Sequence, residues 1–200
     1  MLTRAFASFV IFLACSGTVL VSAEPNPLES YVHAEDDAYA WDVIHSQPVE
    51  GGTTYIIDLT SQSWRSEDEV NRTKWQHWLK LVVPNEIEST TGFVMIGGGS
   101  NGREAPKQAD QRLATMASLT KTVVAELEMI PNQPLVFHND GEQRVEDNLI
   151  GYTWNQFLKT NDATWLARAP MTKSVVRAMD CITEFMASKA GGERTVDKFA

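Results

Sequence analysis

Phe93-Val94-Met95-Ile96-Gly97-Gly98-Gly99-Ser100-Asn101-Gly102 is a short apolar run that stops abruptly in glycine and small polar residues. Four large apolar residues in succession predict a strand buried on both faces, as inside a parallel sheet, because an edge or half-exposed strand would alternate. The glycines that follow allow a backbone turn and leave no side chain in front of the N–H groups, so those groups are free to point at an anion. Downstream, Pro106 suits a first helical turn, and Leu113, Met116 and Ala117 return at helical spacing. The unit reads strand, glycine loop, helix. Such an order brings loop amides close to a helix N-terminus, where partial positive charge favours a phosphate, a carboxylate or a transient oxyanion.

The spacing excludes a P-loop, since no Gly-Lys-[Ser/Thr] follows. A dinucleotide fingerprint is met only loosely, by Gly97, Gly99 and Gly102. Two readings remain: a tight turn with no ligand, and an oxyanion loop placed after an early strand, with Gly98, Gly99, Ser100 and Asn101 as its candidates.

The flanking sequence places this unit in a sheet. Residues 53–60, Thr-Thr-Tyr-Ile-Ile-Asp-Leu-Thr, follow Gly51-Gly52 and are rich in β-branched and aromatic residues, which predicts a strand. Residues 75–83 partly alternate, with Trp75, His77, Leu79, Leu81 and Val83 on one side, and Pro84 ends them. The two are read as antiparallel. Residues 122–127 predict a second buried strand, joined to the first parallel strand by the helix in a right-handed βαβ crossover. Pro131 and Pro134 force a loop before a short extended piece at 135–137, and residues 146–158 predict a helix. Pro170 starts another, with Val175, Val176, Met179, Ile182, Phe185 and Met186 on its apolar face; Gly191-Gly192 stops it, and 196–200 reads as the first step of a strand. The fold class is α/β: a mixed sheet whose leading strands are antiparallel and whose later ones form parallel βαβ units.

Residues 1–23 carry Arg4 ahead of an apolar run and end Val21-Ser22-Ala23, the pattern of a secretory signal peptide cleaved after Ala23; lipid attachment at Cys15 is a weaker option. Loss of Arg4 makes the formal net charge of −9 one unit more negative, which disfavours nucleic acid or an anionic membrane surface as partner. Without the leader only Cys181 remains, so no internal disulfide is expected, and Cys181 reads as a buried small hydrophobe. His33, His45, His77 and His138 lack metal-ligand spacing, and no metal or cofactor is expected. His77, between two tryptophans on a strand, reads as a packed residue. Asn71-Arg72-Thr73 is an N-glycosylation sequon, meaningful in a eukaryotic cell, that would mark an exposed loop.

Several blocks in order carry a family resemblance: Asp58-Leu59-Thr60-Ser61-Gln62-Ser63-Trp64, residues 75–84, Ile96-Gly97-Gly98-Gly99-Ser100-Asn101-Gly102, residues 124–137, and Pro170-Met171-Thr172-Lys173-Ser174-Val175-Val176-Arg177-Ala178-Met179-Asp180. From about Tyr31 onward the chain resembles the PhoPQ-activated pathogenicity-related protein family, to which secreted autocrine proliferation repressors of social amoebae are similar. The resemblance implies an α/β-hydrolase-like fold. It also implies that the strand beginning Val196-Asp197-Lys198-Phe199 runs into a Gly-x-Ser turn presenting a nucleophilic serine, with acid and histidine later in the chain. None of these is present, so residues 24–200 read as the N-terminal half of such a domain, truncated before the nucleophile elbow, through a shortened gene model or as a genuine short form. No catalytic residue is therefore assigned. The expected function is a secreted, hydrolase-like protein inactive as this chain, with a small-molecule or peptide substrate. The alternative is a secreted signalling or binding factor with a cell-surface partner. Half a sheet should also leave residues 171–187 showing their apolar face to water.

Overall fold

The computed structural model describes residues 26–200. The expected leader at 1–23 lies outside them. A short helix, α1 (Pro27–His33), precedes three long strands, β1 (Ala40–Val49), β2 (Gly52–Ser63) and β3 (Lys74–Pro84). Then follow β4 (Thr91–Ile96), α2 (Gln111–Thr120), β5 (Val124–Leu127), α3 (Glu146–Thr160), a 3-10 turn at Ala163–Trp165, α4 (Arg168–Ala187) and β6 (Lys198–Phe199). The strands form one sheet in the order β1-β2-β3-β5-β4-β6. β1, β2, β3 and β5 pair antiparallel in turn, and β4 runs parallel to both β5 and β6. This is the mixed α/β sheet read from the sequence, antiparallel in its leading strands and parallel from β4 onward, with the antiparallel pairing of β2 and β3 in place.

Period-two patterning explains the sheet. On β3, Trp75, His77, Leu79 and Leu81 are fully buried, as the alternation predicts, facing the same side as Ile57 and Leu59 of β2. β1 is an edge and is mostly exposed; it carries Asp42, His45 and Pro48, residues that discourage pairing with another chain.

Adjacent residues of β5 face opposite layers. Ala125 and Leu127 pack with Ala178, Cys181, Ile182, Phe185 and Met186 of α4. Val124 instead joins Leu113, Ala114 and Ala117 of α2, with Val82 of β3. The crossover from β4 to β5 thus covers one face, and the crossover from β5 to β6 covers the other. A third cluster, Trp64, Trp75, Leu135, Phe137, Leu149 and Trp165, lies under α3 and the segment before it.

Three sequence expectations are corrected, and the burial of α3 is added. β4 is only half-buried and Ile96 is 59 % exposed; the strand covered on both faces is β5, with Val124, Ala125 and Leu127 fully buried and Glu126 partly so, because β5 lies between β3 and β4 while β6 pairs β4 only at Thr91 and Gly92. α2 begins at Gln111, not near Pro106, because Asp110 is its N-cap and accepts a hydrogen bond from the Arg112 amide at 2.7 Å. The apolar face of α4 is covered by β2, β3 and β5 rather than exposed, with Lys173 and Ser174 buried ahead of Val175 and Val176. On α3, Trp154 and Leu158 are 46 % and 76 % exposed, and the buried positions are Leu149 and Thr153.

α4 ends at Ala187 with Ser188 as its cap, and Gly191, in the turn that follows, packs back on the helix end: a Cβ there would sit 2.2 Å from the Phe185 carbonyl oxygen and 2.5 Å from Met186 Cα. Backbone cannot yield as a side chain does, so Gly191→Ala is expected to destabilise by about 2 kcal/mol or more. Gly151→Ala, in the open on α3, should stabilise by about 0.5–1 kcal/mol through helix propensity. Urea midpoints at unchanged m-value would show both.

Candidate functional site

The chain leaves β4 through a corner whose peptide planes are fixed from below. Gly97 continues the ladder by donating to the Leu127 carbonyl at 2.8 Å. The carbonyls of Gly97 and Gly98 turn inward and accept from the Ile130 and Met129 amides at 3.1 and 3.0 Å. Among the described residues, the amides of Gly98, Gly99 and Ser100 donate to no acceptor. Gly98 and Ser100 are exposed, and a Cβ on Gly98 would meet nothing within 4 Å. Gly99 has φ +134°, a conformation open to glycine and strained for other residues.

Asn101 does not share this freedom. Its amide donates to the Gln133 carbonyl and its side-chain Nδ2 to the Pro134 carbonyl at 3.2 Å, so it buttresses the corner and offers no donor of its own there. On the far side, the Trp78 indole donates to the Arg103 carbonyl at 3.2 Å. Nor do the loop amides join the first turn of α2, since residues 103–110 intervene. What favours an anion here is the set of fixed peptide dipoles, not a helix end.

The corner also occupies a defined place in the sheet. β4 lies between β5 and β6, and the crossovers on its two sides run over opposite faces. In open α/β sheets this is where a crevice forms at the carboxyl ends of the strands. At its base Lys80 bonds Glu128 at 2.7 Å and Glu126 at 3.1 Å. Burial pulls the Lys80 pKa down, but the hydrogen bonds to Glu128 and Glu126 outweigh it and leave it raised.

Among the described residues His77 is the one histidine whose ring enters a polar network, and that network is sealed. Its Nδ1 lies 3.3 Å from the Glu128 carbonyl, an acceptor only, so Nδ1 carries the proton and Nε2 accepts from the Ser61 hydroxyl at 3.0 Å. Ser61 meets Ser174 at 2.9 Å, and Gln62 donates to the Pro170 carbonyl at 2.8 Å while accepting from the Tyr31 hydroxyl at 2.8 Å. Ser61, Gln62, His77 and Ser174 are all fully buried. The network pins α4 and α1 to the sheet, and no substrate reaches it. Its signal in the sequence was faint: Ser61 and Gln62 stand where β2 should be apolar.

Cys181 is buried, and burial pushes its thiol pKa up, away from thiolate chemistry. Asn71 is exposed; its Oδ1 accepts from the Val136 amide at 2.9 Å and its own amide donates to the Val136 carbonyl at 3.0 Å. Among the described residues no group of His, Cys, Asp and Glu side chains is placed to hold a metal, and no helix is long and apolar enough to cross a membrane.

The model of the PhoPQ-activated pathogenicity-related protein family matches residues 28–200. The chain belongs to this family. Its similarity to autocrine proliferation repressor protein A of Dictyostelium discoideum is 42% identity over 170 residues, which cover 84% of this chain and 34% of the relative. This PhoPQ-related chain therefore spans about a third of the length of that curated relative. Among solved structures it is similar to a candidate acetyl xylan esterase from Bacteroides fragilis at 11% identity and TM-score 0.40, covering 82% of this chain and 41% of that one. It is also similar to a glucuronoyl esterase from Solibacter usitatus at 12% identity and TM-score 0.39, covering 78% and 46%.

Burial pulls the His77 pKa from 6.5 to about 4. The unfolded chain therefore takes up a proton near pH 6.5 that the folded chain refuses until about pH 4. Stability should be full above that upper value and fall on acidification toward the lower one, by about 3 kcal/mol. Urea titrations across this window should show the slope in the wild type and its loss in His77→Gln.

Proposed function

We propose that the 97–102 corner is the oxyanion-binding element of a hydrolase-type site in a secreted protein, with the Gly98, Gly99 and Ser100 amides holding charge that develops on an acyl oxygen. The observation that carries this reading is the state of those amides: the Gly97 and Gly98 carbonyls, which share peptide planes with the Gly98 and Gly99 N–H groups, are tied to Ile130 and Met129, and the N–H groups of Gly98, Gly99 and Ser100 have no acceptor among the described residues. Donors fixed before the reaction need no reorganisation during it, and removing one such donor in an acyl-transfer site typically slows turnover by about a hundredfold or more. β6 supports the reading, because a strand beside β4 would deliver a following Gly-x-Ser turn, as the family resemblance implies, next to the corner. The substrate class is then an ester or amide, small or peptidic.

Acyl transfer also needs a nucleophile, a base and an orienting acid. Ser100 is exposed, while His77 is buried and committed to Ser61, so the two do not form a pair. The polypeptide of residues 24–200 is thus expected to show no hydrolysis of p-nitrophenyl acetate above buffer. Turnover that disappears in Ser100→Ala would overturn the assignment. In amide exchange, Gly98, Gly99 and Ser100 should exchange much faster than Gly97 and Asn101, whose amides are bonded; equal protection of all five would remove the free donors on which the reading stands.

The alternative, a secreted signalling or binding factor, is favoured by the similarity to autocrine proliferation repressor protein A. Saturable binding of the purified protein to cells would support it, and its absence would count against it. In a eukaryotic secretory pathway Asn71 would carry an N-glycan, since it is exposed, Oδ1 is held by Val136 and Nδ2 has no bonded acceptor among the described residues. A mass shift removed by glycosidase and absent in Asn71→Gln is the expected result.

A further inference from the structure

We propose that Arg103 makes the glycine corner selective for acyl compounds that carry a carboxylate; this rests on the oxyanion reading above and adds a substrate class to it. A Cβ built on Gly99 would lie 3.1 Å from Arg103 Nη1, so the guanidinium lies directly against the Gly99 backbone, beside the free amides. The Arg103 side chain makes no ion pair and no hydrogen bond among the described residues, whereas Arg65, Arg144 and Arg177 are each bonded to a carboxylate. Its backbone is not loose: the Trp78 indole holds the Arg103 carbonyl, and Asn101, two residues earlier, is tied to Gln133 and Pro134. Glu126 and Glu128 each place one carboxylate oxygen on Lys80, which offsets their charge, while the other oxygen of Glu126 lies 3.3 Å from where a Cβ on Gly97 would sit, at the β4 end of the corner and away from Gly99.

These pieces define a two-point site. The amides of Gly98 to Ser100 offer donors for one oxygen, and the guanidinium offers a planar fork that matches a carboxylate. The chain is acidic overall, with a formal net charge of −9, so attraction for an anion at this place is local and belongs to Arg103 and the peptide dipoles. A small ester with a carboxylate a few bonds from its carbonyl fits both points; its neutral diester fits one.

The test uses the 200-residue chain and nuclear magnetic resonance of its backbone amides, with monomethyl glutarate and dimethyl glutarate as probes. Monomethyl glutarate is expected to move the Gly98, Gly99 and Ser100 amides saturably and to bind about tenfold more tightly than the diester, the value of one charge-assisted fork. Arg103→Gln should erase that preference and leave diester binding as it was. Arg103→Lys, which keeps the charge but not the fork, should fall between. Because the Arg103 side chain is exposed, neither change is expected to disturb folding. Equal binding of both esters, with the amides moving, overturns the role of Arg103 and leaves the oxyanion reading standing. Selective binding of the monoester that moves the Arg103 side chain but not the three amides overturns the two-point site through the oxyanion reading. No response to either ester overturns both.

Discussion

The pairing of β5 with β3 on one side and β4 on the other constrains everything else. β5 is short, and Val124, Ala125 and Leu127 are fully buried. A strand buried on both faces needs apolar cover above and below, which α2 and α4 supply from opposite sides. Once those two crossovers are set, β4 must lie between β5 and β6, and the chain must leave it at the place where the two windings part. The glycine corner stands there because of this packing, and its amides gain a direction from it.

Polar groups do the fine fixing around that core. Carbonyls of the corner are satisfied by Met129 and Ile130, the backbone of Asn101 by Gln133, and the Arg103 carbonyl by Trp78. Buried backbone groups rarely go unpaired, so bonding the carbonyls inward leaves the adjoining N–H groups to face outward. On the α4 side the Ser61–His77–Ser174 network does comparable work in the dark interior: it registers a helix against a sheet through directional bonds that apolar packing does not provide. The resemblance between this pair and a catalytic serine and histidine is chemical only, since neither side chain reaches solvent.

The aromatic cluster under α3 closes the end of the molecule near the corner. Trp64 and Trp75 meet edge to face, Phe137 stacks on Tyr152, and the Arg144 guanidinium lies 4.0 Å from the Tyr152 ring centre. Asn71 ties the β2–β3 connection to Val136 in the same region. The 131–137 segment therefore receives restraints from Asn101 on one side and from Asn71 on the other, which makes the wall of the crevice as fixed as its floor.

The amino-acid sequence by itself determined the elements that rest on local patterning: the alternation of β3, the β-branched run of β2, the buried character of β5, the glycine corner after β4, and the burial of Cys181 and His77. Each of these follows from the period of apolar residues or from the chemistry of one side chain, which are properties of neighbours along the chain. Only the tertiary structure decided that Ile96 is exposed, that α2 waits for Asp110, that the apolar face of α4 is covered, and that Asn101 is spent on Gln133 and Pro134. It alone brought the Arg103 guanidinium against Gly99. Burial and hydrogen-bond choice at these positions depend on which strand lies next to which, and strand order is set by crossovers that join residues far apart in the chain, beyond the reach of any local period.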